Sequence, residues 1–180
     1  MTDVDTDPVA TSQRWLERAV IGLNLCPFAK AVHVRGQVRW VSSDATTPEA
    51  LLETLGEELL FLRDTPADVV DTTLIVHPRV LGDFLDYNDF LETADALVES
   101  LGLDGVLQVA SFHPDYQFAG SAPDDVENFT NRSPYPTLHL LREDSVSRAV
   151  EAFPDPEVIV ERNVETLRRL GVEGWRELLG

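Results

Sequence analysis

The sequence predicts an α+β (mixed α/β) fold, a mixed sheet of about four strands with strand–helix–strand crossovers and helices packed on it. Three observations predict it. Stretches with apolar residues at helical spacing alternate with short apolar runs rich in β-branched residues. Two strand–helix–strand units follow one another, an order that implies parallel pairing and right-handed crossovers. The last apolar run follows a long irregular segment, which leaves it able to pair antiparallel. The chain has 180 residues, which suits one globular domain. A chain of this size buries ~70% of its unfolded surface and needs no disulfide or metal to hold it.

The first several residues are acidic and poor in apolar side chains, and are expected to be disordered. Asp7-Pro8, Thr47-Pro48 and Asp155-Pro156 each place a capping residue before proline at a first helical position. The first helix carries Trp15, Ala19 and Leu23 on one stripe and stops at Cys26-Pro27. "QVRWVSS" (37–43) alternates as a strand. The second helix, running to about Arg63, carries Leu51, Leu52, Leu55, Leu59 and Leu62. "TTLIVHP" (72–78) is a near-continuous apolar run. A third helix starts near Asp83, with Phe84, Tyr87, Leu91, Ala94, Val98 and Leu101 on its stripe and Gly102 as C-cap. "GVLQVASFHP" (105–114) and "YPTLHLLRE" (135–143) are the remaining strands. Asp144 or Ser145 starts a short fourth helix through Phe153. The fifth, from Pro156, carries Ile159, Val160, Val164, Leu167 and Leu170 before Gly171, and a last turn holds Trp175 and Leu178.

Charge narrows the function classes. Acidic residues number 32 against 14 Lys plus Arg, for a formal net charge of −18, and Lys30 is the sole lysine. That balance works against binding nucleic acid or anionic membranes, which recruit clustered cations. The acidity is dispersed, which suits solubility in high salt. A halophilic source is one reading of this and a high-GC bacterium the other. No apolar run approaches the ~18 residues of a membrane span. The N-terminus has no apolar signal region, and Cys26 stands alone, so the expected compartment is the cytoplasm. There the glycosylation patterns at Asn128 and Asn131 would go unused. Nothing in the sequence sets an oligomeric state.

The candidate site follows from strand direction. If the first three strands are parallel, their C-terminal ends share one edge, where ligands of open sheets bind. His77 and His113 end two of those strands. The segment after His113 runs over twenty residues without a clear element, a length that is usually functional or disordered inside a domain. An antiparallel last strand would return Asn131, Arg132, Ser133 and Tyr135 to the same edge. His113 with Asp115 and His77 offers ligands for a divalent metal. The alternative is that both histidines hydrogen-bond turn backbone before proline. His139 is a base or ligand in the floor of the site, or a satisfied core residue. Cys26 is a nucleophile, a soft ligand or a buried structural thiol. Arg132 is a clamp for a carboxylate or phosphate, or a partner of Asp124, Asp125 or Glu127. No P-loop, dinucleotide, nucleophile-elbow or zincin pattern is present.

"GLNLCPFA", "QVASFHPDYQFAG" and "NFTNRSPYPTLHLLRE" together resemble the bacterial domain-of-unknown-function family 1415, from Trp15 to about Glu161. The resemblance implies a protein of one domain and similar length, and it implies no reaction. Three functional expectations follow. The first is an enzyme acting on a small anionic molecule, with His113 as acid/base or metal ligand, Arg132 holding the anion, and Tyr116 or Tyr135 orienting it. The second is a module binding a cofactor such as haem through Cys26-Pro27 or His113. The third is a structural or interaction protein built around the long loop.

Overall fold

The computed structural model describes residues 7–153 and 155–180. The disorder expected of the first several residues falls mostly on residues 1–6, outside the described residues.

Helix α1 (Pro8–Trp15) starts as its sequence requires, with the Asp7 carboxylate accepting the Val9 N–H. It does not continue as an α-helix to Leu23. Residues Leu16–Ile21 widen into a π-helical segment, where Gly22 N–H donates to Glu17 O and Leu25 N–H to Val20 O. Gly22 permits the close approach that follows, because a Cβ there would lie 2.1 Å from the Arg18 carbonyl oxygen. The segment ends at Asn24 (φ 53°), before Cys26-Pro27 is reached. A short helix α2 (Ala29–Val34) was not expected, and it has no buried residue to give it a stripe.

Strand β1 (Val38–Ser42) leads to α3 (Pro48–Asp64), whose Thr47 hydroxyl accepts the Ala50 N–H. Strand β2 (Thr72–Val76) leads to α4 (Phe84–Ser100), capped by Asp83 on the Asp86 N–H. Strand β3 (Leu107–Phe112) is followed by the long loop, which contains a 3-10 turn (Val126–Asn131). Strand β4 (Thr137–Arg142) runs directly into α5 (Glu143–Ala152). Helix α6 (Pro156–Leu179) is broken at Gly171, whose φ of 70° and ψ of 176° turn the last stretch in a new direction.

The four strands lie in the order β1-β2-β4-β3. β1 and β2 are parallel, and β4 is antiparallel to both its neighbours. The sheet is therefore mixed, as expected. Direct pairing of β2 with β3 is not found, because β4 lies between them. β1, β2 and β3 still run in one direction, so their C-terminal ends and the start of β4 share an edge.

Two apolar clusters flank the sheet. On one side Leu51, Leu55, Leu59 and Leu62 of α3 and Tyr87, Ala94 and Val98 of α4 meet Ile75, Leu138 and Leu140. The four α3 leucines have no exposed surface, and burying each contributes about 1.5–3 kcal/mol. In the other cluster Trp15, Leu16, Ala19 and Val20 meet Phe129, Leu167 and Trp175, with Trp40 and Phe112 from the sheet. At the end of β4 the Arg142 Nη2 lies 3.0 Å from Leu62 O, 2.6 Å from Thr65 O and 2.7 Å from Val70 O. It places a cation on the carbonyl end of α3, where the helix dipole favours one.

Candidate functional site

The shared strand edge is built around two histidines, and both are tied to one loop. His77 has no exposed surface. Its Nδ1–H donates to Val80 O at 3.1 Å, and its backbone N–H donates to Pro136 O at 3.0 Å. Its Nε2 has no partner among the described residues. Burial pushes its pKa down to about 4.

His113 is equally buried. The Asp115 backbone N–H donates to its Nδ1 at 3.0 Å, which leaves the proton on Nε2. Nε2–H then donates to Leu81 O at 3.0 Å. Leu81 holds a left-handed backbone (φ 59°), a conformation that costs roughly 1–2 kcal/mol outside glycine. Both ring nitrogens are thus engaged within the protein, and burial lowers the pKa, with Asp115 and Asp83 opposing it. Tyr87 joins this group. Its ring lies 4.9 Å from that of His113 and 5.9 Å from that of His77. Its hydroxyl donates to Thr137 O at 2.6 Å and accepts the Phe112 N–H at 3.1 Å, joining β4 to β3. Tyr116 packs on Phe84 and Phe118. The strand edge is consequently filled by rings rather than open.

The metal set expected of His77, His113 and Asp115 is not assembled. Among the described residues no group of three or more His, Cys, Asp or Glu is placed to hold an ion. The His113 lone pair that would ligate one accepts the N–H of Asp115, whose own side chain is on an exposed residue. His139 lies elsewhere, on the α1/α6 face of the sheet, with its ring 5.6 Å from Phe112. Its Nε2–H donates to Thr72 Oγ1 at 2.8 Å, and that hydroxyl donates to Leu140 O at 2.6 Å. Burial lowers its pKa to about 4. Cys26 is a free, half-buried thiol that packs against the Trp15 cluster.

The long loop is an ordered construction. Asn128 is fully buried. Its Oδ1 accepts from Phe118 N and Ser121 Oγ, each at 2.9 Å, and its Nδ2 donates to Ala122 O at 2.9 Å. Asn131 Nδ2 donates to Ser111 O, and its carbonyl accepts the His113 N–H, both at 3.0 Å. Ser133 Oγ donates to Tyr135 O at 2.6 Å. These polar side chains hold the loop to β3 and to itself.

Arg132 is held from two sides. Its Nε donates to Tyr116 O at 3.0 Å and its Nη2 to Pro123 O at 2.7 Å. The guanidinium carbon lies 5.0 Å from the Phe129 ring centre. Burial lowers its pKa, with Asp115 and Asp124 opposing the shift. The salt bridge considered with Glu127 does not form, since that carboxylate takes Arg168 at 2.7 Å. Nη1 of Arg132 makes no hydrogen bond within the described protein.

Arg132 lines a cleft of about 390 Å³, within the usual range for small-molecule sites. The loop supplies Pro114, Asp124, Arg132, Ser133 and Pro134 to it, α1 supplies Thr11 and Trp15, and the end of α6 supplies Val172, Trp175, Arg176 and Leu179. Trp15 is a buried lining residue whose indole N–H has no acceptor among the described residues. Pro114, Arg132 and Ser133 were legible as neighbours in the sequence, whereas Thr11, Trp15, Trp175 and Arg176 were not. The only sequence signal for the latter pair was Gly171, which re-aims the helix bearing them. His77, His113, His139, Cys26, Tyr116 and Tyr135 are not among the lining residues. A second, more open hollow of about 590 Å³ lies between α2 and α5, with Pro27, Arg35, Asp71, Ser145 and Arg148 in its wall.

Among the described residues, no helix is long and apolar enough to cross a membrane. A search of curated proteins and a search of solved structures each returned no match. The model of the family described as "Protein of unknown function (DUF1415)" matches residues 8–177, and the chain belongs to that family.

Proposed function

We propose that this protein binds a small anionic molecule in the cleft between the long loop, α1 and the end of α6. The observation that carries the reading is Arg132, a guanidinium fixed by two backbone carbonyls that keeps one nitrogen unengaged beside a cavity. A fixed guanidinium loses little freedom on meeting an anion, which favours binding. Arg176 supports it as a second lining cation, whose exposed side chain has no partner among the described residues. In a chain of net charge −18 two guanidinium groups lining one cavity call for an explanation.

The reading is one of binding. The lining contains no histidine or cysteine, so no group in it is tuned to move a proton near neutrality. His113 serves the cleft indirectly, by fixing the start of the loop that carries Arg132.

Titration with acetate, sulfate and phosphate, followed by tryptophan fluorescence, tests the proposal. Trp15 and Trp175 line the cleft, so occupancy is expected to change the emission. Arg132→Gln is expected to weaken the response. Arg176→Gln serves as the second variant, because its exposed side chain leaves the fold untouched. Saturable responses identical in both variants and the native protein would overturn the assignment.

A further inference from the structure

We propose that the ligand of this cleft is a singly charged carboxylate carrying an apolar, preferentially aromatic, body. The inference rests on the anion-binding reading above and specifies its ligand class.

Charge comes first. Two arginines and one aspartate line the cleft, leaving one net positive charge among the lining residues. One negative charge on a ligand balances that lining. A second would face Asp124 with no lining cation left to meet it, and Asp115, outside the lining, adds to the negative field at Arg132, a like-charge cost that falls on dianions.

Donor geometry agrees. Arg132 has committed Nε and Nη2 to Tyr116 O and Pro123 O. The side-on edge through which a guanidinium grips two oxygens at once is therefore already in use. The end-on edge, formed by Nη1 and the second Nη2 hydrogen, remains. The Ser133 hydroxyl proton is directed to Tyr135 O. The cleft thus offers the end-on edge of Arg132 and the Arg176 guanidinium, planar donors that fit the two oxygens of a carboxylate.

The remaining wall fixes the body. Trp15, Phe129 and Trp175 line one side, and Val172 and Leu179 extend it. Phe129 and Trp175 lie 5.4 Å apart at 36°, and the Arg132 guanidinium lies over Phe129. A flat ring placed against such a wall gains both area and favourable ring contacts.

Calorimetric titration of the full chain with benzoate, hexanoate, acetate, methyl benzoate and inorganic phosphate, at about pH 8.5, where phosphate is the dianion, and at constant ionic strength, tests the proposal. Benzoate and hexanoate are expected to bind saturably, with acetate and phosphate weaker by about tenfold or more. Arg176→Gln is expected to weaken benzoate by about tenfold. Asp124→Asn, which removes the opposing charge, is expected to narrow the gap between phosphate and benzoate. Phosphate binding as tightly as benzoate to the native protein would overturn the single-charge assignment while leaving an anion cleft. Acetate binding as well as benzoate would remove the apolar body, and methyl benzoate binding as well would remove the carboxylate. Failure of every anion would take the underlying anion-binding reading with it.

Discussion

The Nε2–H of His113 donates to the carbonyl of Leu81 at 3.0 Å. His113 ends β3, and Leu81 lies in the turn before α4, in a backbone conformation that leucine disfavours. His77, at the end of β2, holds the neighbouring Val80 carbonyl in the same manner. Two imidazoles thus fix one turn, and α4 begins where that turn ends.

Removal of the first imidazole should therefore loosen a structural joint. His113→Ala removes the partners of the Leu81 carbonyl and the Asp115 N–H, both part-buried bonds, and an unpaired group costs up to about 1–3 kcal/mol as its burial increases. Urea denaturation is expected to show a loss of about 3 kcal/mol. A near-neutral result would mean that water replaces both bonds.

The buried histidines also set a pH dependence. His77, in contact with His113 and Tyr87, is moved by burial from 6.5 to about 4. The unfolded chain therefore takes up this proton before the folded one does. The stabilisation is complete above about pH 6.5 and drains as pH falls toward about 4. At ~1.4 kcal/mol per unit, His77 alone is worth ~3 kcal/mol across that window. His139 and His113 shift in the same direction and add to it. Melting temperature measured from pH 7 to 4 should fall, and His77→Gln, which carries no titrating ring, should flatten the slope. An unchanged slope in that variant would remove His77 from the account.

Tyr87 offers a sharper measurement. Its hydroxyl serves Thr137 O and Phe112 N together. Tyr87→Phe keeps the ring packing and leaves both backbone groups unpaired, at ~2–4 kcal/mol. Hydrogen exchange of the Phe112 amide should accelerate in the variant. Retention of native protection there would show that the hydroxyl is dispensable to the β3–β4 joint.

Salt should act on the surface as a whole. We propose that the acidic surface, with its net charge of −18, makes this protein a salt-favouring one. Raising KCl from 0.1 to 1 M shortens the screening length from ~10 to ~3 Å. Melting temperature is expected to rise over that range, and the proposal does not survive a flat or falling curve.

Much of the fold is legible because its signals are local. Asp7-Pro8, Thr47-Pro48 and Asp155-Pro156 begin helices because proline lacks only an N–H that the first turn cannot use. The apolar spacing of α3 names its four buried leucines, together with Leu52, which is only partly buried. Strand order is not local. Whether β3 pairs β2 or β4 depends on chain that comes later, and nothing in "TTLIV" or "LQVASF" states it. The π-helical widening at Leu16–Ile21 and the unburied α2 lack a periodic signature altogether. Arg132 was legible because a lone cation among polar loop residues stands out. Trp175 and Arg176 were not, because helical residues beyond Gly171 look like any packing turn until the direction of that turn is known. His113 looks catalytic in sequence because its partners are backbone groups of residues 81 and 115, and a carbonyl or an N–H has no letter.

The position of β4 bears on how the chain comes together. The central ladder pairs Thr73 with Leu140, and the side chains of Thr72 and His139, 67 positions apart in the chain, hydrogen-bond beside it. Three strands and the two helices between them precede β4 in the chain, yet β3 has no strand neighbour without it. A nascent chain leaving the ribosome must carry β3 unpaired until Arg142 has emerged, so sheet closure is a late, long-range event of the kind associated with slow folding. Chains cut before Thr137 should be chaperone substrates and aggregate rather than accumulate as a smaller folded protein.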